Sequence, residues 1–148
     1  MKAIIFDNKN TEAAVNHLVA YGYTEIIIFS RGITPIDVDY YRLNDINITV
    51  VEDFPQGKTE DKLLKIKGSL TEKFLIVYSG DICFFDLDEA LKNHNQKQAT
   101  ATLIQKSAHL CAAICEREVF DYLTKENESF ERELLLKIGQ DGELNTLE

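Results

Sequence analysis

Phe74-Leu75-Ile76-Val77-Tyr78-Ser79-Gly80-Asp81 is the stretch from which the fold can be read. Five apolar or aromatic residues run together and stop at a small residue, a glycine and a carboxylate. An unbroken apolar run of this length, closed by a turn signal, predicts a strand buried on both faces, as in a parallel sheet. Ligands of open α/β sheets gather just beyond the carboxyl ends of such strands. Gly80 lets the backbone come close to a ligand, and Asp81 behind it is a candidate for holding a metal-bound phosphate. Capping the next turn is the competing role for Asp81.

Upstream of that run, Gln56-Gly57-Lys58-Thr59 leads into a helix with Leu63, Leu64 and Ile66 on one face, ended by Gly68. Earlier strands are predicted at Lys2 to Phe6, Thr24 to Phe29 and Ile46 to Val51. Between the first two, Ala13, Ala14, His17, Leu18 and Tyr21 recur at helical spacing, with Asn10 or Thr11 as cap and Gly22 as terminator. His17, among apolar positions, reads as a packed core histidine rather than a ligand. The polar, tyrosine-bearing segment from Pro35 to Leu43 holds a short helix. Downstream, Asp86-Leu87-Asp88-Glu89 is an N-capped helix start with acidic residues that suit the macrodipole. That helix runs to about Asn95, and His94 near its end reads as a solvated or capping residue. Ala99 to Gln105 and Leu110 to Cys115 are two more strands, followed by an amphipathic helix through Val119, Phe120 and Leu123. A last helix from Phe130 to Ile138 stops at Gly139, and Asp141-Gly142 turns the chain into a short tail. Alternating strands and helices predict one three-layer α/β/α domain over residues 1–148, Rossmann-like, with a mostly parallel sheet.

At 148 residues the chain is long enough for one domain with a full core. No segment approaches the roughly 18 apolar residues that span a bilayer, and no signal-peptide pattern opens the chain. The expectation is a cytoplasmic protein with no membrane partner. A formal charge of -9 argues against nucleic acid, whose backbone calls for a basic face. A nucleotide remains compatible, because a metal and a few donors can meet its charge. Cys111 and Cys115 sit in an apolar stretch without zinc or thioredoxin spacing, and buried, reduced thiols are expected.

From about Gln56 onward the chain resembles the sugar-phosphate nucleotidylyltransferases, which join a nucleoside triphosphate to a sugar 1-phosphate and release pyrophosphate. The resemblance is carried by Phe74 to Asp81, then Asp86-Leu87-Asp88, Leu91, His94 and Ala99-Thr100-Ala101-Thr102. It resumes at Glu118 to Tyr122, at Ser129-Phe130-Glu131-Arg132-Glu133-Leu134-Leu135 and at Asp141-Gly142-Glu143-Leu144. The aromatic before Gly80-Asp81 and the Phe-Glu-Arg-Glu run look most like the glucose-1-phosphate cytidylyltransferase branch. The resemblance implies a nucleotide-diphospho-sugar transferase-like fold, a role in nucleotide-sugar and polysaccharide biosynthesis, and Mg2+ as cofactor. It makes Asp81 the magnesium ligand between two phosphates, with Gly57, Lys58, Thr59 and Gly80 at the nucleotide. A divalent metal there orients two anions and offsets the charge that develops between them.

The family's glycine-rich loop, with its arginine and nearby lysine, has no counterpart. Only Asp7-Asn8-Lys9-Asn10 follows the first strand. Lys106-Ser107-Ala108 passes straight into the next strand where the family has a hairpin with a phosphate-holding lysine, and the sequence stops near where the family supplies a second metal-binding aspartate. Losing one oxyanion-type donor can cost on the order of a hundredfold in rate. The chain therefore reads as a trimmed relative, weakly active or inactive. One alternative is a non-catalytic module binding a nucleotide sugar or a partner: a second copy of itself, or a full-length enzyme. Another is a haloacid-dehalogenase-like phosphatase, with Asp7 as nucleophile, Ser30 and Lys58 on phosphate, and Asp81 with Asp86 on magnesium. Lys9 stands where that reading needs its general-acid aspartate.

Overall fold

A computed structural model describes residues 1–6, 11–30, 36–52, 59–78, 82–83, 85–107, 109–122 and 135–147, with backbone alone at 59, 60, 135 and 136. The centre of the fold is its first strand. Strand β1 (Lys2–Phe6) lies between β2 (Glu25–Ser30) and β4 (Phe74–Val77), parallel to both, and Ile4 faces Ile27 on one side and Ile76 on the other. Strand β3 (Asn47–Glu52) extends the parallel half beyond β2. On the other side β4 pairs antiparallel with β6 (His109–Cys115), and β6 pairs antiparallel with β5 (Ala101–Lys106). The order across the described sheet is β3-β2-β1-β4-β6-β5-β7.

The last strand, β7 (Leu144–Leu147), is parallel to β5. This segment was expected to be a short tail. It forms a strand because Gly142, at φ +74°, reverses the chain, and the Glu143 carbonyl then accepts from the Thr100 and Ala101 amides just ahead of and at the start of β5.

Side chains alternate between two apolar layers, as the period of a strand requires. Ala3, Ile5, Leu75 and Val77 face one layer; Ile4, Phe74 and Ile76 face the other. The first layer is closed by α1 (Thr11–Ala20), α2 (Val38–Leu43) and α4 (Leu87–Lys97), through Val15, Leu18, Tyr41, Leu87 and Ala90. The second is closed by α3 (Thr59–Lys65), a 3-10 turn over Arg117–Tyr122 and α5 (Leu135–Gln140), through Leu63, Val119, Phe120 and Ile138. This is the three-layer α/β sandwich with a mostly parallel sheet.

Helix ends follow local chemistry, with some corrections. Gly22, at φ +88°, terminates α1, where the Tyr23 amide reaches back to the Leu18 carbonyl at 3.1 Å. Thr11 is the first residue of α1, and Asn10 lies outside the described residues. Gly68 does not end α3; it sits in a separate 3-10 turn, Lys67–Ser69. Gly139 lies inside α5. The segment holding Val119 and Phe120 is 3-10 rather than α over Arg117–Tyr122, and Leu123 and Phe130 lie outside the described residues.

Asp86 caps α4 as predicted, its Oδ1 accepting from the Asp88 and Glu89 amides at 3.0 and 3.2 Å. Asp86→Ala leaves those donors to water and should cost about 1 kcal/mol. A urea melt should show a lower midpoint at unchanged slope.

Candidate functional site

Strand β6 runs against both its neighbours, so β5 and β7 point the same way as β1 to β4. The carboxyl ends of six strands, Phe6, Ser30, Glu52, Val77, Lys106 and Leu147, therefore lie on one edge of the sheet. That is the edge at which an α/β sheet collects its ligand. Gly57, Lys58, Gly80 and Asp81 lie outside the described residues, as do Asp7 to Asn10. Thr59 is the first residue of α3, described through its backbone only.

At this edge the described residues form a cavity of about 540 Å³. The first half of α4, the tip of the β5–β6 hairpin and the end of β7 build it. Phe85, Ala90 and Leu147 give it an apolar floor, while Glu89, Asn93 and Gln105 bring carboxylate and amide groups to the walls. Lys106 and Ser107 close it at the hairpin. Ser107 turns there at φ +51°, so the two strands do follow each other without a long insertion. Asp86, a magnesium candidate in the phosphatase-like reading, lines the same cavity while one of its oxygens holds the α4 cap. The cavity was not foreseen, because its walls come from three segments far apart in sequence. The one available signal was the polar i, i+4 pair Glu89 and Asn93 on α4.

His17 is half-buried rather than a core residue. Its Nε2 lies 3.0 Å from the Phe85 carbonyl, and its ring meets the edge of Tyr21. A carbonyl can only accept, so Nε2 carries the proton and ties α1 to the approach to α4.

His94 is the clearest correction. Expected at the surface, it is 1% exposed. Its Nδ1 lies 2.6 Å from Thr102 Oγ1 and its Nε2 3.3 Å from Glu116 Oε2. Burial holds it below the usual imidazole range, while the hydrogen bond and charge of Glu116 oppose that shift. This cluster sits at the amino edge of the sheet, opposite the ligand edge. It borders a second, polar cavity of about 340 Å³ that Lys73, Asn95, Glu116 and Glu118 also line.

Cys111 and Cys115 are buried thiols in no disulfide, as expected, and burial, with the Glu116 charge adding, pushes the Cys115 thiol up to about 12. Cys83, likewise in no disulfide, is exposed.

No family model and no curated protein matches the chain by sequence. Solved structures do match it by shape. A candidate glucose-1-phosphate thymidylyltransferase from Bacillus anthracis, solved in complex with sucrose, superposes with a TM-score of 0.68, covering 99% of this chain and 86% of that one at 13% identity. A 4-diphosphocytidyl-2C-methyl-D-erythritol synthase from Anaerococcus prevotii gives 0.61, covering 99% and 85% at 14% identity. A candidate nucleotide-diphospho-sugar transferase from Desulfovibrio desulfuricans gives 0.58, covering 99% and 79% at 10% identity.

The fold is that of a nucleotide-diphospho-sugar transferase.

Within this nucleotide-diphospho-sugar transferase fold, the length of β5 separates the two cavities. The larger lies beside the carboxyl end of β5, and the smaller lies where β5 begins. None of the described helices is long and apolar enough to cross a membrane.

Proposed function

We propose that this domain binds a nucleotide or nucleotide sugar at the carboxyl edge of its sheet, in the manner of the sugar-phosphate nucleotidylyltransferases. In this reading Asp81 holds magnesium, Gly57, Lys58, Thr59 and Gly80 meet the nucleotide, and the sugar enters the cavity between α4 and the β5–β6 hairpin. The observation that carries it is the coincidence of that cavity with the edge on which the strands of this fold end, five residues past Asp81 at Asp86. Polar walls over an apolar floor suit a sugar, with hydroxyls around its ring and a face of C–H groups.

Magnesium bound through nucleotide phosphates needs only one or two protein carboxylates. Asp81 supplies one such carboxylate in this reading. When bound, the metal would neutralise and orient phosphate oxygens. Turnover is weak or absent in this reading, because residues 7–10 contain neither glycine nor arginine to cradle a triphosphate.

The test is a thermal-shift titration with nucleoside triphosphates and nucleotide sugars, with and without magnesium, alongside Asp81→Asn. A ligand at about a hundred times its Kd adds roughly 2.7 kcal/mol of stability, or several degrees for a chain of this size. A magnesium-dependent shift lost in Asp81→Asn is the expected result. No shift with any of them overturns the reading. Attention then passes to a protein partner, for which the exposed Leu43 of α2, and β3 as the outermost strand among the described residues, offer surface.

A further inference from the structure

The two cavities are joined by a chain of side-chain hydrogen bonds whose direction can be worked out from one end. Glu116 is a carboxylate and accepts only, so His94 carries its proton on Nε2 and donates to it. The bare Nδ1 must then accept, and Thr102 Oγ1, at 2.6 Å, donates. The Thr102 oxygen in turn accepts from Asn145 Nδ2 at 3.3 Å, and the same amide nitrogen donates to Asn93 Oδ1 at 2.7 Å. With its oxygen engaged, Asn93 is left with N–H groups for the large cavity that it lines. Asn145 thus donates both to Asn93 and to Thr102, and from Thr102 the donations run on through His94 to Glu116.

We propose that protonation of His94 reverses this chain and changes the face that Asn93 shows to the large cavity from donor to acceptor.

The reversal follows from valence. A second proton makes Nδ1 a donor to Thr102 Oγ1, so the threonine hydrogen must find another acceptor. Thr102 is fully buried, and its described partners are His94 and Asn145. Asn145 satisfies it by turning its amide, so that Oδ1 stands where Nδ2 stood. The amide oxygen can no longer donate to Asn93, which turns as well and places its own oxygen toward the cavity. No bond of the chain is lost.

The groups that face His94 from outside α4 set the pH at which this happens. Glu116, after β6, favours the added proton, and Lys73, ahead of β4, opposes it while bonded to Asn95 at 2.7 Å and to Glu116 at 3.5 Å. From β5 comes Thr102, from β7 the uncharged Asn145, and Glu118 stands on the rim of the small cavity.

The device acts on the cavity assigned above to the sugar and rests on that reading for its biological meaning. Its test needs no ligand, so failure here leaves the nucleotide reading standing, and failure of the nucleotide titration leaves this one. The full chain, isotope-labelled, is titrated by NMR from neutral to acid pH while the His94 ring nitrogens and the Asn93 and Asn145 side-chain amides are followed. All three should move with one midpoint. In Thr102→Val, a near-isosteric change, His94 should still titrate while the Asn93 amide stays still. In Asn145→Asp the new carboxylate can only accept, so the Asn93 amide at neutral pH should take the position it has in the parent chain at acid pH. The proposal fails if the asparagine amides ignore the His94 titration, if they follow it equally in Thr102→Val, or if the chain unfolds before His94 takes its proton.

Discussion

Phe74→Ala should lower the free energy of unfolding by about 3–5 kcal/mol, the range for emptying a buried phenylalanine site. The ring is fully buried in β4, beside Phe120 at 5.8 Å between centroids. Leu63, Leu70 and Ile76 belong to the same apolar layer. Its backbone pairs with Lys2 on one side and Cys115 on the other, the seam between the parallel and antiparallel halves of the sheet. Neighbours fixed on both sides cannot close over the missing ring, which places the expected cost toward the top of the range. Urea unfolding followed by far-UV circular dichroism measures it. A loss under about 1 kcal/mol, small beside that range, would mean that this layer is far looser than its geometry requires.

His94→Ala should cost about 3 kcal/mol, by a different route. The substitution leaves a cavity in a buried site, and it also leaves the Thr102 hydroxyl without its acceptor. It should change the pH dependence too. Burial lowers the affinity of the folded chain for the His94 proton relative to the unfolded chain, where the imidazole has its usual value of 6.5. The unfolded state therefore binds the proton first as pH falls. The contribution of His94 to stability is complete above that value, drains away as pH drops through it, and levels off once the folded state is protonated too. In His94→Ala this part of the pH dependence disappears. Melts at neutral and mildly acid pH, compared between the two chains, read it directly. An equal acid-side loss in the variant would assign that loss to other groups.

Much of the fold was legible because β1, β2 and β4 are apolar on both faces. A strand buried on both sides needs no alternation to be recognised, only an uninterrupted run such as Phe74 to Val77. β7 offered no such run. Leu144-Asn145-Thr146-Leu147 mixes polarity over four residues, and its partner β5 begins 43 residues earlier, at Ala101 opposite Leu144. Pairing at that distance is decided by tertiary contacts that a local reading does not contain.

His94 was legible in hindsight. Leu87, Ala90 and His94 fall at i, i+3 and i+7 on the buried face of α4, but the flanking Asn93 and Asn95 drew the reading toward solvent. The large cavity was illegible for the reason given for β7, since Asn93, Lys106 and Leu147 meet only once the sheet is assembled. Of the nucleotide and metal positions read from the sequence, Gly57, Lys58, Gly80 and Asp81 fall outside the described residues. The titration with Asp81→Asn is what bears on them.

The central place of β1 sets a timetable for synthesis. Lys2 pairs with Phe74, 72 residues later. At about 5–20 residues per second of translation, the second neighbour of β1 leaves the ribosome roughly 4–14 s after the strand itself. During that interval Ala3, Ile4 and Ile5, fully buried in the finished domain, have β2 on one side and an unfilled hydrogen-bonding edge on the other. The nascent chain is therefore most vulnerable to misassembly at β1, and it stays so until Val77 has been made.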